Sequence, residues 1–112
     1  MNGTEESAEL DKQLVAANHA LAACTETWVR VHQEALKNNR SSYEAGQTAS
    51  AAYLQALPTL SGVENIRAFI ACVAHGLAIG VIEGSRASRL LYAAQIAKSV
   101  LKEPVKTRPA SS

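Results

Sequence analysis

Apolar residues recur through residues 7–37 at alternating spacings of four and three, and this pattern constrains the fold more than any other feature of the sequence. The alternation is the a/d seam of a heptad repeat. A parallel stripe one position further on widens the apolar face to three positions in seven, which is typical of a helix in a bundle. The seam consists of Leu10, Leu14, Ala17, Leu21, Cys24, Trp28, Val31 and Ala35, and the stripe of Val15, Ala22, Val29 and Leu36.

The composition supports helices elsewhere in the chain. Of the 112 residues 21 are alanine and only five are aromatic. Alanine is the best helix former and fills little volume, so this balance favours closely packed helices and argues against a β-sandwich or barrel. We therefore predict an all-α, four-helix bundle-like domain over residues 1–103, with a long first helix and a C-terminal helical hairpin. Residues 104–112 are expected to form a flexible tail.

Helix boundary signals place the first two helices at residues 7–37 and 42–56. Asn38 and Asn39 predict the end of the first helix, since asparagine tolerates the left-handed conformation found there. Ser41 and Glu44 have the spacing of a capping box, which predicts the start of the second helix. Pro58 places the end of that helix just before it.

The third and fourth helices are predicted at residues 63–82 and 86–102. Ser61 and Glu64 repeat the capping-box spacing. Gly84 and Ser85 are expected to be the C-cap and N-cap of a tight turn between the two helices. Two faces are predicted on the third helix, one with Ile66, Phe69, Ile70, Val73, Leu77 and Val81, the other a small-residue stripe with Cys72, Gly76, Gly80 and Gly84. The buried face of the fourth helix is expected to consist of Ala87, Leu90, Leu91, Ala94, Ala97 and Leu101.

The formal charge of +1 excludes a global field that would draw the chain onto nucleic acid or an anionic membrane. The longest uncharged apolar run, residues 68–82, is shorter than the roughly 20 residues that a membrane-spanning helix needs. Cys24 and Cys72 lie in apolar surroundings and the N-terminus lacks the pattern of a secretory signal. These features predict a cytoplasmic protein without a membrane partner.

No motif in the sequence carries a catalytic or metal-binding signature. Cys72 and His75 are spaced for one helical face, but a structural zinc site needs four ligands. The favoured interpretation is that Cys72 packs in the core as a small apolar residue and that His75 makes one hydrogen bond. We expect a non-enzymatic protein with neither a metal site nor a cofactor; a small enzyme or cofactor binder, with a pocket lined by His75 and Tyr92, is the least favoured class.

A nucleic-acid-associated regulator is the alternative. The predicted turn at residues 83–85 joins two helices, as in a helix-turn-helix, and basic residues follow it along the second of them. The candidate contacts are Arg86, Arg89, Lys98 and Lys102. A plain helical hairpin with a solvated rim is the favoured interpretation, given the neutral overall charge.

The last third of the chain resembles small uncharacterised bacterial proteins that end in a glycine-containing turn followed by a helix rich in alanine and leucine. The resemblance implies a bacterial source and a helical domain, and no particular activity. It rests on Ile82, Glu83 and Gly84, and then on Ala87, Leu90, Leu91, Tyr92, Ala93, Gln95, Ile96 and Ala97.

The leading hypothesis is a protein that acts by helix-mediated association, either as a homodimer or with a protein partner. The wide face of the first helix presents more apolar surface than three shorter helices need. The side chains predicted to bind the partner are Leu14, Leu21, Trp28, Val29 and Leu36.

Overall fold

The computed structural model describes the backbone of residues 2–102, with side chains described at Lys12 and from Leu14 to Leu101. The predicted tail, residues 104–112, lies outside the described residues. Within them the chain is all-α, and the predicted four-helix architecture is confirmed. The helices are α1 (Asn2–Lys37), α2 (Ser42–Gln55), α3 (Val63–Ala78) and α4 (Gly84–Lys102).

Helix α1 begins five residues earlier than predicted and ends at the predicted position. Asn39 has a φ of +66°, the left-handed conformation expected of a residue that ends a helix. Its amide donates to the carbonyl of Leu36, and the amide of Arg40 donates to that of Ala35. These two bonds form a Schellman motif, so an asparagine takes the place more often held by glycine.

The predicted capping box at the start of α2 is confirmed. The Glu44 amide donates to Ser41 Oγ at 3.1 Å, and the Ser41 amide donates to Glu44 Oε1 at 3.3 Å. The second predicted box, Ser61 with Glu64, is wrong. Gly62 is the N-cap of α3, and Ser61 Oγ instead lies 2.9 Å from Thr59 Oγ1.

Helix α3 ends four residues before the predicted boundary because Gly80 stops it. Gly80 has a φ of +81°, and the amide of Val81 donates to the Gly76 carbonyl at 2.8 Å in a second Schellman motif. The prediction that Gly84 caps this helix is therefore wrong, as is Ser85 as N-cap, since α4 already begins at Gly84. The connection is five residues long, Ile79 to Glu83, rather than a three-residue turn.

The four described helices do not form a closed bundle, because α4 contacts neither α1 nor α2. Helix α1 contacts α2 and α3, and α4 contacts α3 alone among the described helices. The core lies where α1, α2 and α3 meet and extends along the α3–α4 contact. Its buried members are Cys24, Tyr53, Ile66, Phe69, Cys72, Val73, Ile82, Ala87 and Ala94.

The close approach predicted for the small-residue stripe of α3 occurs at Gly76. A Cβ atom on Gly76 would lie 2.7 Å from Ile82 Cδ1 and 3.0 Å from Tyr53 Cε1. The approaching groups are thus the end of the α3–α4 connection and one tyrosine ring. Gly80 contributes no such approach, because a Cβ atom there would meet nothing within 4 Å and its role is to end the helix.

Candidate functional site

Helix α1 is much longer than the helices that cover it. At 1.5 Å per residue its 36 residues span about 54 Å, whereas the 14 residues of α2 and the 16 of α3 span about 21 and 24 Å. Its buried side chains, among those described, are Cys24 and Ala35. The described side chains that precede Cys24 are all at least partly exposed, so this part of α1 has little cover from the other described residues.

The five residues predicted to bind a partner fall into two groups. Leu14, Val29 and Leu36 are exposed, with Leu14 retaining 61% of its accessible surface. Leu21 and Trp28 are half-buried and pack against the core. The exposed members are the ones free to contact a second molecule.

Trp28 is held at the edge of the core by polar and aromatic contacts. Its ring stacks on that of His32 with centroids 4.6 Å apart and planes 12° from parallel. Trp28 Nε1 donates a long hydrogen bond of 3.4 Å to Ser50 Oγ on α2. The indole therefore helps to join α1 to α2.

A seven-residue repeat runs along the exposed side of α1. We call Val15, Ala22, Val29 and Leu36 the α1 stripe, and all four are exposed. Residues seven apart lie nearly above one another on a helix, so these side chains form one narrow apolar line. The seam residues Cys24 and Ala35 face the core while the stripe one position further on faces outward.

Helix α4 has an apolar face that the sequence analysis did not identify. Tyr92, Ile96 and Val100, which we call the α4 stripe, are 66, 49 and 66% exposed. They are spaced by four and so share one side of the helix. The four-residue spacing of these three side chains is visible in the sequence and could have identified the face. Leu101, predicted to be buried, is 48% exposed.

The candidate nucleic-acid contacts on α4 do not form a single basic face. Arg86, Arg89 and Lys98 are exposed, and the side chain of Lys102 lies outside the described residues. Arg89 and Lys98 are nine residues apart, which at 3.6 residues per turn is two and a half turns. These two side chains therefore leave the helix on opposite sides.

A groove of about 770 Å³ lies between α2 and the α3–α4 connection. Trp28, Tyr43, Gln47 and Ser50 form one wall, and the segment from Ile79 to Glu83 forms another, with Arg86 at its edge. Neither His75 nor Tyr92 lines this groove, so it is not the pocket predicted for a small enzyme or cofactor binder. The groove is lined by hydroxyl, amide and apolar groups and by two charged residues, Glu83 and Arg86.

The buried polar groups of the core form a cluster between α1, α2 and α3. Tyr53 Oη donates to the Cys72 carbonyl at 2.7 Å, and the Cys24 and Cys72 thiols are within hydrogen-bonding reach. Burial raises the pKa of Cys24; burial, with Cys24 beside it, raises the pKa of Cys72 to about 12. Burial also raises the pKa of Tyr53. Because the thiolate is the reactive form, these cysteines are packing groups rather than nucleophiles.

The described residues contain no cluster of three or more histidine, cysteine, aspartate or glutamate side chains that could hold a metal ion. None of the described helices is long and apolar enough to cross a membrane. Comparison with known protein families, curated proteins and solved structures gives no match for the chain.

Proposed function

We propose that this is a non-enzymatic helical protein that acts by self-association or by binding a protein partner through α1. The observation that carries the proposal is the exposure of Leu14, Val15, Val29 and Leu36 along a helix that its own chain covers only in part. Contiguous exposed apolar side chains on a folded surface mark interaction sites, because their burial removes apolar area from water.

A second copy of the chain is the most concrete partner, and we propose a homodimer. We place the protein in the cytoplasm, where a reducing environment keeps thiols free. Two cysteines that are buried and unpaired support that location. In addition to the surface of α1, helix α4 offers exposed apolar surface for such an assembly.

The nucleic-acid alternative draws its support from the charge of α4, which contains four basic and no acidic residues. Its weakness is that Arg89 and Lys98 lie on opposite sides of the helix. An electrophoretic mobility shift with random duplex DNA at low salt checks it, and a shift at micromolar protein would favour it over self-association.

Sedimentation equilibrium from 1 to 100 µM tests the main proposal, with a concentration-dependent increase in mass as the expected result. A Leu14→Gln variant should weaken the association. Leu77→Gln is the matched control, since Leu77 is an exposed leucine on α3 and not on α1. A wild-type protein that stays monomeric throughout would refute self-association, and equal effects of the two variants would refute the role of α1.

A further inference from the structure

The thiols of Cys24 on α1 and Cys72 on α3 meet inside the core, and the proposed function uses neither of them. Both side chains are completely buried, and the two thiols are within hydrogen-bonding reach of each other. A disulfide places its two sulfur atoms about 2 Å apart. Joining two thiols that already touch therefore needs only a short movement of the side chains.

The fold, rather than chance encounter, sets the separation of the two thiols. Cys24 is the first of the described side chains of α1 to be buried, and α1 packs against α3. The turn of α3 that carries Cys72 is bonded to α2, because Tyr53 Oη donates to the Cys72 carbonyl at 2.7 Å. Each cysteine thus belongs to a regular helix and to one packed cluster.

Packing alone accounts for the burial of each cysteine, since a free cysteine behaves as a small apolar residue. It does not require the two to be neighbours. Cys24 and Cys72 are the only cysteines of the chain and lie 48 residues apart, yet they contact each other. This contact is the observation that a packing role leaves unexplained.

We infer that Cys24 and Cys72 are a site of disulfide formation, which ties α1 to α3 when the chain meets a low-molecular-weight disulfide such as oxidised glutathione. The cross-link is independent of the proposed function. It closes a loop over residues 24–72 that contains all of α2, so it fixes the packing of the three helices that meet in the core. A reduced glutathione pool leaves the pair as thiols, and an oxidised pool closes the bond.

The bond forms by two successive thiol–disulfide exchanges. One cysteine thiolate attacks a sulfur of oxidised glutathione, which forms a mixed disulfide and releases one glutathione. The second cysteine thiolate attacks the protein sulfur of that mixed disulfide and releases the second glutathione. The protein loses two electrons and the two thiol protons, and oxidised glutathione takes them up to become two reduced molecules.

Burial slows this reaction. The closed core keeps both thiols protonated and away from solvent, since burial raises the pKa of Cys24 and raises that of Cys72 to about 12. Exchange therefore requires an opening in which α1 moves off α3. Such an opening breaks few buried contacts of α1, whose buried side chains among those described are Cys24 and Ala35. The readout is accordingly the position of the equilibrium, reached by long incubation, and not the rate.

Equilibration of the wild-type chain at 1 µM in glutathione redox buffers tests the site, once in the folded state and once in 8 M urea. Mass spectrometry after an acid quench counts the linked and free forms, and a tryptic digest maps the link. In urea the two thiols meet only as the ends of a flexible 48-residue segment. The contact in the fold should raise the equilibrium constant for cross-linking tenfold or more, which lowers the reduction potential by about 30 mV.

Cys24→Ala and Cys72→Ala are the matched controls, because each leaves one thiol without its neighbour. Both should give only a glutathione adduct, whereas the wild-type chain should lose two hydrogens and carry no adduct. Far-UV circular dichroism establishes whether each variant is folded, and the wild-type comparison with urea does not depend on either variant. By thermodynamic linkage, the cross-linked chain should also unfold at a higher urea concentration than the reduced chain.

Three results would overturn the site: a folded constant less than tenfold above that in urea, a glutathione adduct in place of the internal bond, or a disulfide between two chains at 1 µM. None of them bears on the proposed function. Failure of self-association would in turn leave this test unchanged, because the bond forms within one chain. An internal bond with the expected tenfold ratio supports the site.

Discussion

Replacing Gly76 with alanine should destabilise the fold, although alanine is the better helix former. The added Cβ atom would lie 2.7 and 2.9 Å from Ile82 Cδ1 and Cγ1, and 3.0 Å from Tyr53 Cε1. Neither neighbour can withdraw easily. Ile82 is almost completely buried, and Tyr53 is fixed by its 2.7 Å hydrogen bond to the Cys72 carbonyl.

The magnitude follows from two opposing terms. Overpacking a core position by one methyl group costs about 1–3 kcal/mol, and three contacts at 3.0 Å or less place Gly76 near the middle of that range, at about 2 kcal/mol. The gain in helix propensity is about 0.5–1 kcal/mol. The net expectation for Gly76→Ala is therefore a loss of about 1 kcal/mol in the free energy of unfolding.

Gly46→Ala is the matched control, because Gly46 lies inside α2 and an added Cβ atom would meet nothing within 4 Å. It should stabilise the protein by about 0.5–1 kcal/mol. The two melting temperatures should then lie on opposite sides of the wild-type value, separated by roughly 8–16 °C for a domain of this size.

Thermal melts followed by far-UV circular dichroism and urea unfolding followed by Trp28 fluorescence measure these differences. Ile82→Val removes the Cδ1 atom, so adding it to Gly76→Ala should recover part of the loss. If Gly76→Ala were as stabilising as Gly46→Ala, or if the double variant showed no coupling, the packing of Ile82 and Tyr53 around Gly76 would be refuted.

Two further predictions concern the cap of α2 and the buried thiol and phenol groups. Ser41→Ala should lower the free energy of unfolding by about 1 kcal/mol through loss of the α2 capping box, whereas Ser61→Ala should change it by less than about 0.5 kcal/mol; equal effects in urea unfolding would contradict the caps described. Because the folded state favours the neutral forms of Cys24, Cys72 and Tyr53, their contribution to stability is complete below about pH 8.5, where thiols of the unfolded chain are protonated. Stability should then fall as pH rises above that value, and a urea midpoint unchanged between pH 8 and 10 would refute it.

The positions of the helix ends show how far local signals extend. The end of α1 at Asn39 and the start of α2 at Ser41 were both predictable, since each depends on hydrogen bonds within four or five residues of chain. The predicted capping box at Ser61 is absent, and the Ser61 hydroxyl instead makes hydrogen bonds with the side chains of Thr59 and Asn65. The predicted end of α3 was wrong because the four-residue spacing placed Gly80 with Gly76 on one helical stripe. Only the positive φ of Gly80 in the structure shows that this residue ends the helix.

The sequence predicts that α1 has a wide apolar face, but not which part of that face is exposed. The heptad pattern indicated a wide apolar face on α1, but pattern alone could not show that Leu21 and Trp28 pack against the core while Leu14 and Val29 stay exposed. Which part of a face is covered depends on where the other helices end. The spacing of the α4 stripe is likewise visible in the sequence, but only the packing of α4 against α3 shows that this side of the helix stays exposed.

By itself, the sequence determined the number of helices, their apolar periodicity and the two caps at Asn39 and Ser41, because these follow from interactions within one or two turns. Only the tertiary structure decided that Tyr53, Cys24 and Cys72 meet in one core cluster, since the three come from different helices and Tyr53 binds a carbonyl 19 residues away. It also decided that, of the described helices, α4 packs against α3 alone. Among the described residues, part of the apolar face of α1 and the outer side of α4 stay exposed, and the exposed part of α1 is where we expect a second copy to bind.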